Sequence, residues 1–193
     1  MKDRRTKFGE SEVVSRRIDG TDGPDVFHGS FGGDLCFGHG GADVVFGNEG
    51  SDRISGGRGA DIIYGDRGKD RIIGGPGNDT IEGGMHKDIM SGGPGADMFR
   101  FLALPSYVNG SNLDIITDFQ PRKPGEYVSI FIEPELDITE FSQLRDMMFQ
   151  DGKDVVLSFG GVDILVLENV SIRQLSADDF FIESIGAAGP HLL

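Results

Sequence analysis

The sequence predicts a mainly-β chain in which a parallel coil of nine short-strand repeats leads into a mostly-β C-terminal cap containing one short helix. Three columns predict the coil. Glycine recurs at positions 20, 29, 38, 47, 56, 65, 74, 83 and 92 without a gap. Aspartate keeps the same period at Asp25, Asp34, Asp43, Asp52, Asp61, Asp70, Asp79, Asp88 and Asp97. Two residues after each aspartate stands an apolar side chain: Phe27, Cys36, Val45, Ile54, Ile63, Ile72, Ile81, Met90 and Phe99. A flexible glycine-rich linker would hold no such register among three residue types. Residues 19–99 are therefore nine tandem nonapeptides, and they contain 23 of the 31 glycines.

Each column dictates part of a backbone. A second glycine follows the first by three residues at Gly23, Gly32, Gly41, Gly50, Gly59, Gly68, Gly77 and Gly95, and only His86 breaks that column. Two glycines at fixed places imply a tight turn with φ > 0 where a Cβ would clash. Three residues per repeat, such as Ile62-Ile63-Tyr64, remain to form a strand. The middle side chain of a three-residue strand points opposite to its neighbours, so the apolar column faces inward. Turn and strand in alternation wind a coil whose alternate repeats stack into two parallel sheets around that column. Cys36 lies in it and reads as a small buried hydrophobe.

Such a core is thin. It buries one obligatory side chain per repeat, against an ordering cost on the order of 1–2 kcal/mol per residue. Stacked turns also bring the aspartates together, where they repel and lose hydration. Residues 19–99 carry 12 Asp, two Glu and six Lys+Arg, a net charge of −8. A hard dication taking about six to eight oxygen ligands from carboxylates and backbone carbonyls suits these turns, so calcium is the candidate. Zinc is disfavoured, because one Cys and the scattered His28, His39, His86 and His191 make no tetrahedral set. Asn48 and Asp66, each following a first glycine, tolerate a left-handed backbone and offer further side-chain oxygens. Thr21 and Ser30 in that position suggest a looser first coil, and His86 a weaker site.

GGRGADIIY (56–64), GGPGNDTIE (74–82) and GGPGADMFR (92–100) resemble the RTX, or hemolysin-type, calcium-binding nonapeptide GGxGxDxUx. The resemblance implies a parallel β-roll with Ca2+ held between the turns of repeats n and n+2, hence up to 9 − 2 = 7 inter-turn sites. It implies as ligands the nine column aspartates, Asp25 to Asp97. It adds main-chain carbonyls around Gly23, Gly32, Gly41, Gly50, Gly59, Gly68, Gly77 and Gly95, and around Gly57, Gly75, Gly84 and Gly93.

After Phe99 the period ends. Segments 113–119, 127–132, 154–159 and 162–167 read as strands, the last two joined by a Gly160-Gly161 turn. Residues 137–149 read as a helix with Asp137 and Glu140 as a capping box and Phe141, Leu144 and Met148 on one face. A helical turn within 171–180 should precede a strand Phe180–Ile182. This segment can build a real apolar core and close the end of the coil. Ala96–Phe101, Ile116–Phe119 and Leu175–Phe180 resemble the region after the repeats in serralysin-type proteases and alginate epimerases. That resemblance implies export by type I secretion machinery through an uncleaved C-terminal signal, and an extracellular location. The expected organisation is a basic tail over 1–18, the roll over 19–100 and the cap over 101–193.

Composition excludes other classes. With 32 Asp+Glu against 18 Lys+Arg and a charge of −14, nucleic acid and anionic membrane are poor partners. One Cys makes no internal disulfide, and no apolar run approaches the roughly 18 residues of a membrane span. The start of the chain, with Lys2, Arg4, Arg5 and Lys7, has no apolar h-region of a signal peptide. There is no His-Glu-x-x-His helix, Gly-x-Ser-x-Gly elbow or phosphate loop, so no enzyme is expected. One surface stands out: Val26, Val44, Phe46, Ile62 and Tyr64 form an outward apolar stripe that gives way to Thr80, Glu82 and Arg100. Residues 8–18 or the cap cover it, or it is a docking face for self-association or a glycan. Three functions fit at this point: a stand-alone calcium-binding export module, a structural, adhesive or polysaccharide-binding accessory, and a detached module of a secreted hydrolase, epimerase or protease.

Overall fold

A computed structural model describes residues 15–103, 113–132, 138–159 and 162–184. Over residues 17–91 every strand has three residues, because a turn of six consumes the rest of each nonapeptide. The strands are β1 (Arg17–Asp19), β2 (Val26–His28), β3 (Leu35–Phe37), β4 (Val44–Phe46), β5 (Arg53–Ser55), β6 (Ile62–Tyr64), β7 (Arg71–Ile73), β8 (Thr80–Glu82) and β9 (Ile89–Ser91). Pairing is parallel and skips one repeat, so that Val45 lies beside Phe27 and Ile63, and Ile54 beside Cys36 and Ile72. A three-residue strand can bury only its middle residue, and all nine members of the apolar column are buried.

The same two sheets run on past the repeats. β10 (Met98–Ala103) leads to β11 (Asp114–Ile116), which pairs with β9, and to β12 (Tyr127–Ile132), which pairs with β10. β13 (Met148–Asp151), β14 (Asp154–Phe159) and β15 (Val162–Leu167) complete one sheet in the order β1-β3-β5-β7-β9-β11-β15-β14-β13. β16 (Phe180–Ser184) heads the other, β16-β12-β10-β8-β6-β4-β2. One apolar core follows the sheets from Phe27 to Phe180. Its distal end is richer, with Leu144, Leu157, Leu165 and Leu167 fully buried and Phe180 stacked on Phe141 at 5.4 Å.

The expected helix over 137–149 is shorter. α1 spans Phe141–Asp146, with Gln143 Oε1 accepting the N–H groups of Thr139 and Glu140 at 2.8 and 3.0 Å. Its last turn is taken by β13, which pairs antiparallel with β14 around a turn at Gly152-Lys153. Strand pairing outcompetes helix propensity here, and Asp151-Gly152 is the hairpin signal that marks the place. Asp137, the Gly160-Gly161 turn, the basic cluster Lys2 to Lys7, His191 and residues 185–193 lie outside the described residues. The helical turn before the last strand is a 3₁₀ turn, Ala177–Asp179, with Asp179 Oδ2 accepting from the Ser176 N–H and hydroxyl at 2.7 and 2.8 Å.

Candidate metal centre

The inter-repeat turns hold two kinds of glycine. The residue after each first glycine is left-handed from His39 onward, at His39, Asn48, Gly57, Asp66, Gly75, Gly84 and Gly93. The second-glycine position is left-handed at Gly41, Gly50, Gly59, Gly68, Gly77 and Gly95. The first glycines need smallness instead: a Cβ on Gly56 would lie 2.8 Å from the Gly74 carbonyl oxygen and against Asp61 Oδ2. The left-handed backbone expected of the turn thus falls at the second glycine and not at the first, where close approach of the next coil is the constraint.

That approach defines a repeated cradle. At Gly20, Gly47, Gly56 and Gly74, the space of a missing Cβ is bounded by the carbonyl of the first glycine two repeats on, at 2.7, 2.5, 2.8 and 2.7 Å. The Oδ2 of the same repeat's aspartate bounds it too. The other carboxylate oxygen is engaged. Each backbone N–H at Asp25, Asp34, Asp43, Asp52, Asp61, Asp70 and Asp79 donates to Oδ1 of the aspartate 18 residues on, at 2.7–3.0 Å. One ladder of carboxylates therefore runs along each stack, with its Oδ1 edge satisfied.

The Oδ2 edge is different. Among the described residues, Oδ2 of Asp43, Asp52, Asp61, Asp70, Asp79 and Asp88 is buried without a hydrogen-bond partner. An orphaned buried oxygen is expensive, and an ionised one more so. Burial accordingly pushes four of them up, Asp52 to about 6, Asp79 to about 7, and Asp70 and Asp88 to about 8, with neighbouring carboxylates adding to the rise. Asp61 and Asp97 shift upward from the same first cause.

Two carboxylates, one continuing this ladder and one beside it, are invisible to the nonapeptide period. Asp114 is buried, its Oδ1 accepts the Asp88 N–H at 2.9 Å, and burial raises it to about 8. Asp118 accepts from Gly92 N, Gly93 N and the Ser91 hydroxyl at 3.0, 2.9 and 2.7 Å. Asp114 stands 26 residues after Asp88 instead of 18, so an insertion hides it. The repeated triplet Asp-Ile-Ile, at 61–63 and 114–116, is the signal that would have found it. Asn48 Nδ2 donates to the Gly29 carbonyl at 2.8 Å, and Asp66 Oδ2 accepts the Asn48 N–H at 3.0 Å, with the Asp66 charge close enough to help raise Asp52 and Asp70.

No group of three or more His, Cys, Asp or Glu side chains converges to hold a metal among the described residues. What the turns present is one carboxylate oxygen each, surrounded by main-chain carbonyls. That donor set suits a hard, oxygen-seeking cation and neither a thiolate nor an imidazole metal. A family model, the RTX calcium-binding nonapeptide repeat, matches in four copies over residues 17–45, 37–72, 46–81 and 64–99. Residues 17–99 are RTX calcium-binding repeats.

Beyond the RTX repeats, the chain is similar to the extracellular lipase LipA from Serratia marcescens. Identity is 17% over 89% of this chain and 40% of the lipase, with a TM-score of 0.39. It is also similar to a subunit of the mannuronan C5-epimerase from Azotobacter vinelandii, at 26% identity over 96% of this chain and 92% of the subunit, with a TM-score of 0.35. The chain spans less than half the length of the lipase. No curated protein matches it. No helix among the described residues is long and apolar enough to cross a membrane.

His86 keeps the RTX turn, but at φ 83°, a left-handed conformation costly for a side chain of this kind. Relief of about 1–2 kcal/mol, offset by roughly 0.5–1 kcal/mol of added chain entropy, predicts that His86→Gly stabilises the roll by roughly 0.5–1 kcal/mol. Urea unfolding of the calcium-saturated protein checks this.

The outward stripe is present. Val26 is 66% exposed and Ile62 38%, while Val44, Phe46 and Tyr64 are half-buried. His28, Phe46 and Tyr64 stack face to face at 4.8 and 5.2 Å, so both faces of the middle ring, Phe46, are spent on its neighbours. β1, in residues 17–19, joins the opposite sheet. The cap strands β12 and β16 extend the stripe's own sheet at its far end.

Proposed function

We propose that this chain is a secreted calcium-binding module whose RTX roll folds when calcium binds after type I export. The observation that carries the reading is the row of six buried aspartate Oδ2 atoms without partners, each beside a glycine cradle. A calcium ion between turns would take these oxygens as ligands, together with the main-chain carbonyls of both turns, and remove the cost of burying them. The Oδ1 ladder holds each carboxylate at its station, so binding at one turn orders the next. In a low-calcium cytosol the repulsion stands and the segment stays open for export. Outside, it closes. The role is binding and not catalysis, and an extracellular setting supplies the ion.

Far-UV circular dichroism through a calcium titration of the full chain, with magnesium and chelator controls, tests this reading. A cooperative, calcium-specific gain of β signal is expected. A β spectrum unchanged by chelator would overturn it.

Proton linkage gives a second check. Folded-state pKa values of about 6 to about 8, above the ordinary 3.8, make the acidic side of that window favourable for the calcium-free roll. The contribution is full below about 3.8 and is lost as pH rises through about 8. Calcium takes the deprotonated form. Its midpoint should therefore rise as pH falls from 8 to 5, with protons released on binding, as read by titration in buffers of different ionisation enthalpy.

A further inference from the structure

We infer that the first coil of the roll, residues 20–37, is a calcium-free terminal cap in which Thr21 and Ser30 take the place of the metal. The inference deepens the calcium reading and rests on it. Two features separate this coil from those that follow.

The first is backbone conformation. In every repeat from His39 onward both turn positions are left-handed, whereas Thr21, Gly23, Ser30 and Gly32 are not. The sequence explains the break. Asn, Asp and Gly enter the left-handed region at low cost, but a β-branched Thr does not, and a Ser gains more by bonding to its own turn. With the first position outside that region, the glycine two residues later has no need of it.

The second is what the altered turn does with its aspartate. The Thr21 N–H and hydroxyl donate to Asp25 Oδ2 at 2.7 and 2.8 Å. The Ser30 N–H and hydroxyl donate to Asp34 Oδ2 at 2.5 and 2.9 Å. Each hydroxyl in turn accepts the N–H of the second glycine at 3.2 Å, which closes the loop on itself. Asp34 Oδ1 also receives the Arg16 N–H at 2.5 Å. Neither Asp25 nor Asp34 appears among the six carboxylates with an orphaned Oδ2, which begin at Asp43. Asp25 is half-buried, but Asp34 is as buried as those that follow it, so exposure does not account for the difference at Asp34.

The two features have one cause and one consequence. A residue that avoids the left-handed region directs its N–H and hydroxyl at the carboxylate, and a carboxylate already holding two donors offers calcium little. A solenoid needs an end that is stable without a further neighbour, and a turn satisfied from within supplies one. The metal ladder then begins at Asp43 and Asp52, two sites short of the seven that counting repeats allows.

The test counts calcium per chain by native mass spectrometry and equilibrium dialysis on the full-length protein at saturating calcium. Asp25→Asn with Asp34→Asn should leave the count unchanged. Thr21→Gly with Ser30→Gly, which frees both carboxylates and permits the left-handed turn, should raise it by about two ions. A lower count in the Asn pair, or an unchanged count in the Gly pair, would overturn the inference. Failure of the calcium reading itself looks different: Asp61→Asn with Asp79→Asn would then also leave the count untouched, or the wild-type chain would bind none.

Discussion

Gly59→Ala is expected to abolish the cooperative calcium-loaded fold of the roll, at a cost of more than about 4 kcal/mol. Gly59 has φ 131°, and a Cβ there would fall on the Gly41 carbonyl oxygen. Both partners are backbone in stacked turns, so neither yields without unstacking the coil. The same steric relation recurs one coil on, between Gly77 and the Gly59 carbonyl. Gly152→Ala is the control. Gly152 is also left-handed, at φ 61°, but a Cβ there meets nothing within 4 Å. Its cost should be about 1 kcal/mol, that of the conformation alone. Urea denaturation of both variants in saturating calcium measures the difference. Similar losses would mean that the coils are not stacked this closely.

The fold was legible because the repeat leaves few choices. Nine residues with two small turn positions and one inward side chain specify a three-residue strand, and Ile54, Ile63 and Ile72 are buried for that reason. The cap was legible in its short, largely apolar runs, Tyr127–Ile132, Asp154–Phe159 and Val162–Leu167, whose bounds agree with the sequence reading. It was not legible at 147–149. There Met148 satisfies helical spacing equally well, and only its pairing with Leu157 decides the matter.

The acidic column was plain, but its chemistry was not. A sequence shows that Asp34 and Asp43 share a register, and it does not show that one carboxylate is satisfied from within and the other orphaned. The difference lies in one residue's reluctance to turn left-handed, which is a matter of geometry before it is a matter of charge. Asp114 was hidden for the opposite reason. Its environment continues the ladder, while its spacing does not. Periodicity finds equivalent positions only as long as no insertion intervenes.

Replacing Asp79 separates the two jobs that each carboxylate does. Its Oδ1 accepts the Asp61 N–H at 2.9 Å, and its Oδ2 is the buried, partnerless oxygen assigned to calcium. Asp79→Ala removes both, and an unpaired buried N–H alone costs about 1–3 kcal/mol. Asp79→Asn keeps the acceptor and removes the charge. Each millimolar-class calcium site, at about tenfold excess ion, contributes roughly 1.4 kcal/mol. With calcium present, Asn should therefore lower stability by about that amount and raise the calcium midpoint, and Ala should do both more severely. Without calcium the sign reverses for Asn: burying an amide in place of a carboxylate that burial raises to about 7 relieves the calcium-free roll, most of all above that pH. The paired variant Asp61→Asn with Asp79→Asn should deepen both trends, because the two carboxylates belong to adjacent coils of one stack. Calorimetric calcium titration and urea unfolding in chelator read the two halves separately. A destabilised Asn variant in chelator would show that the charge is welcome without metal. A wild-type midpoint in both Asn variants would remove the aspartates from the ligand set.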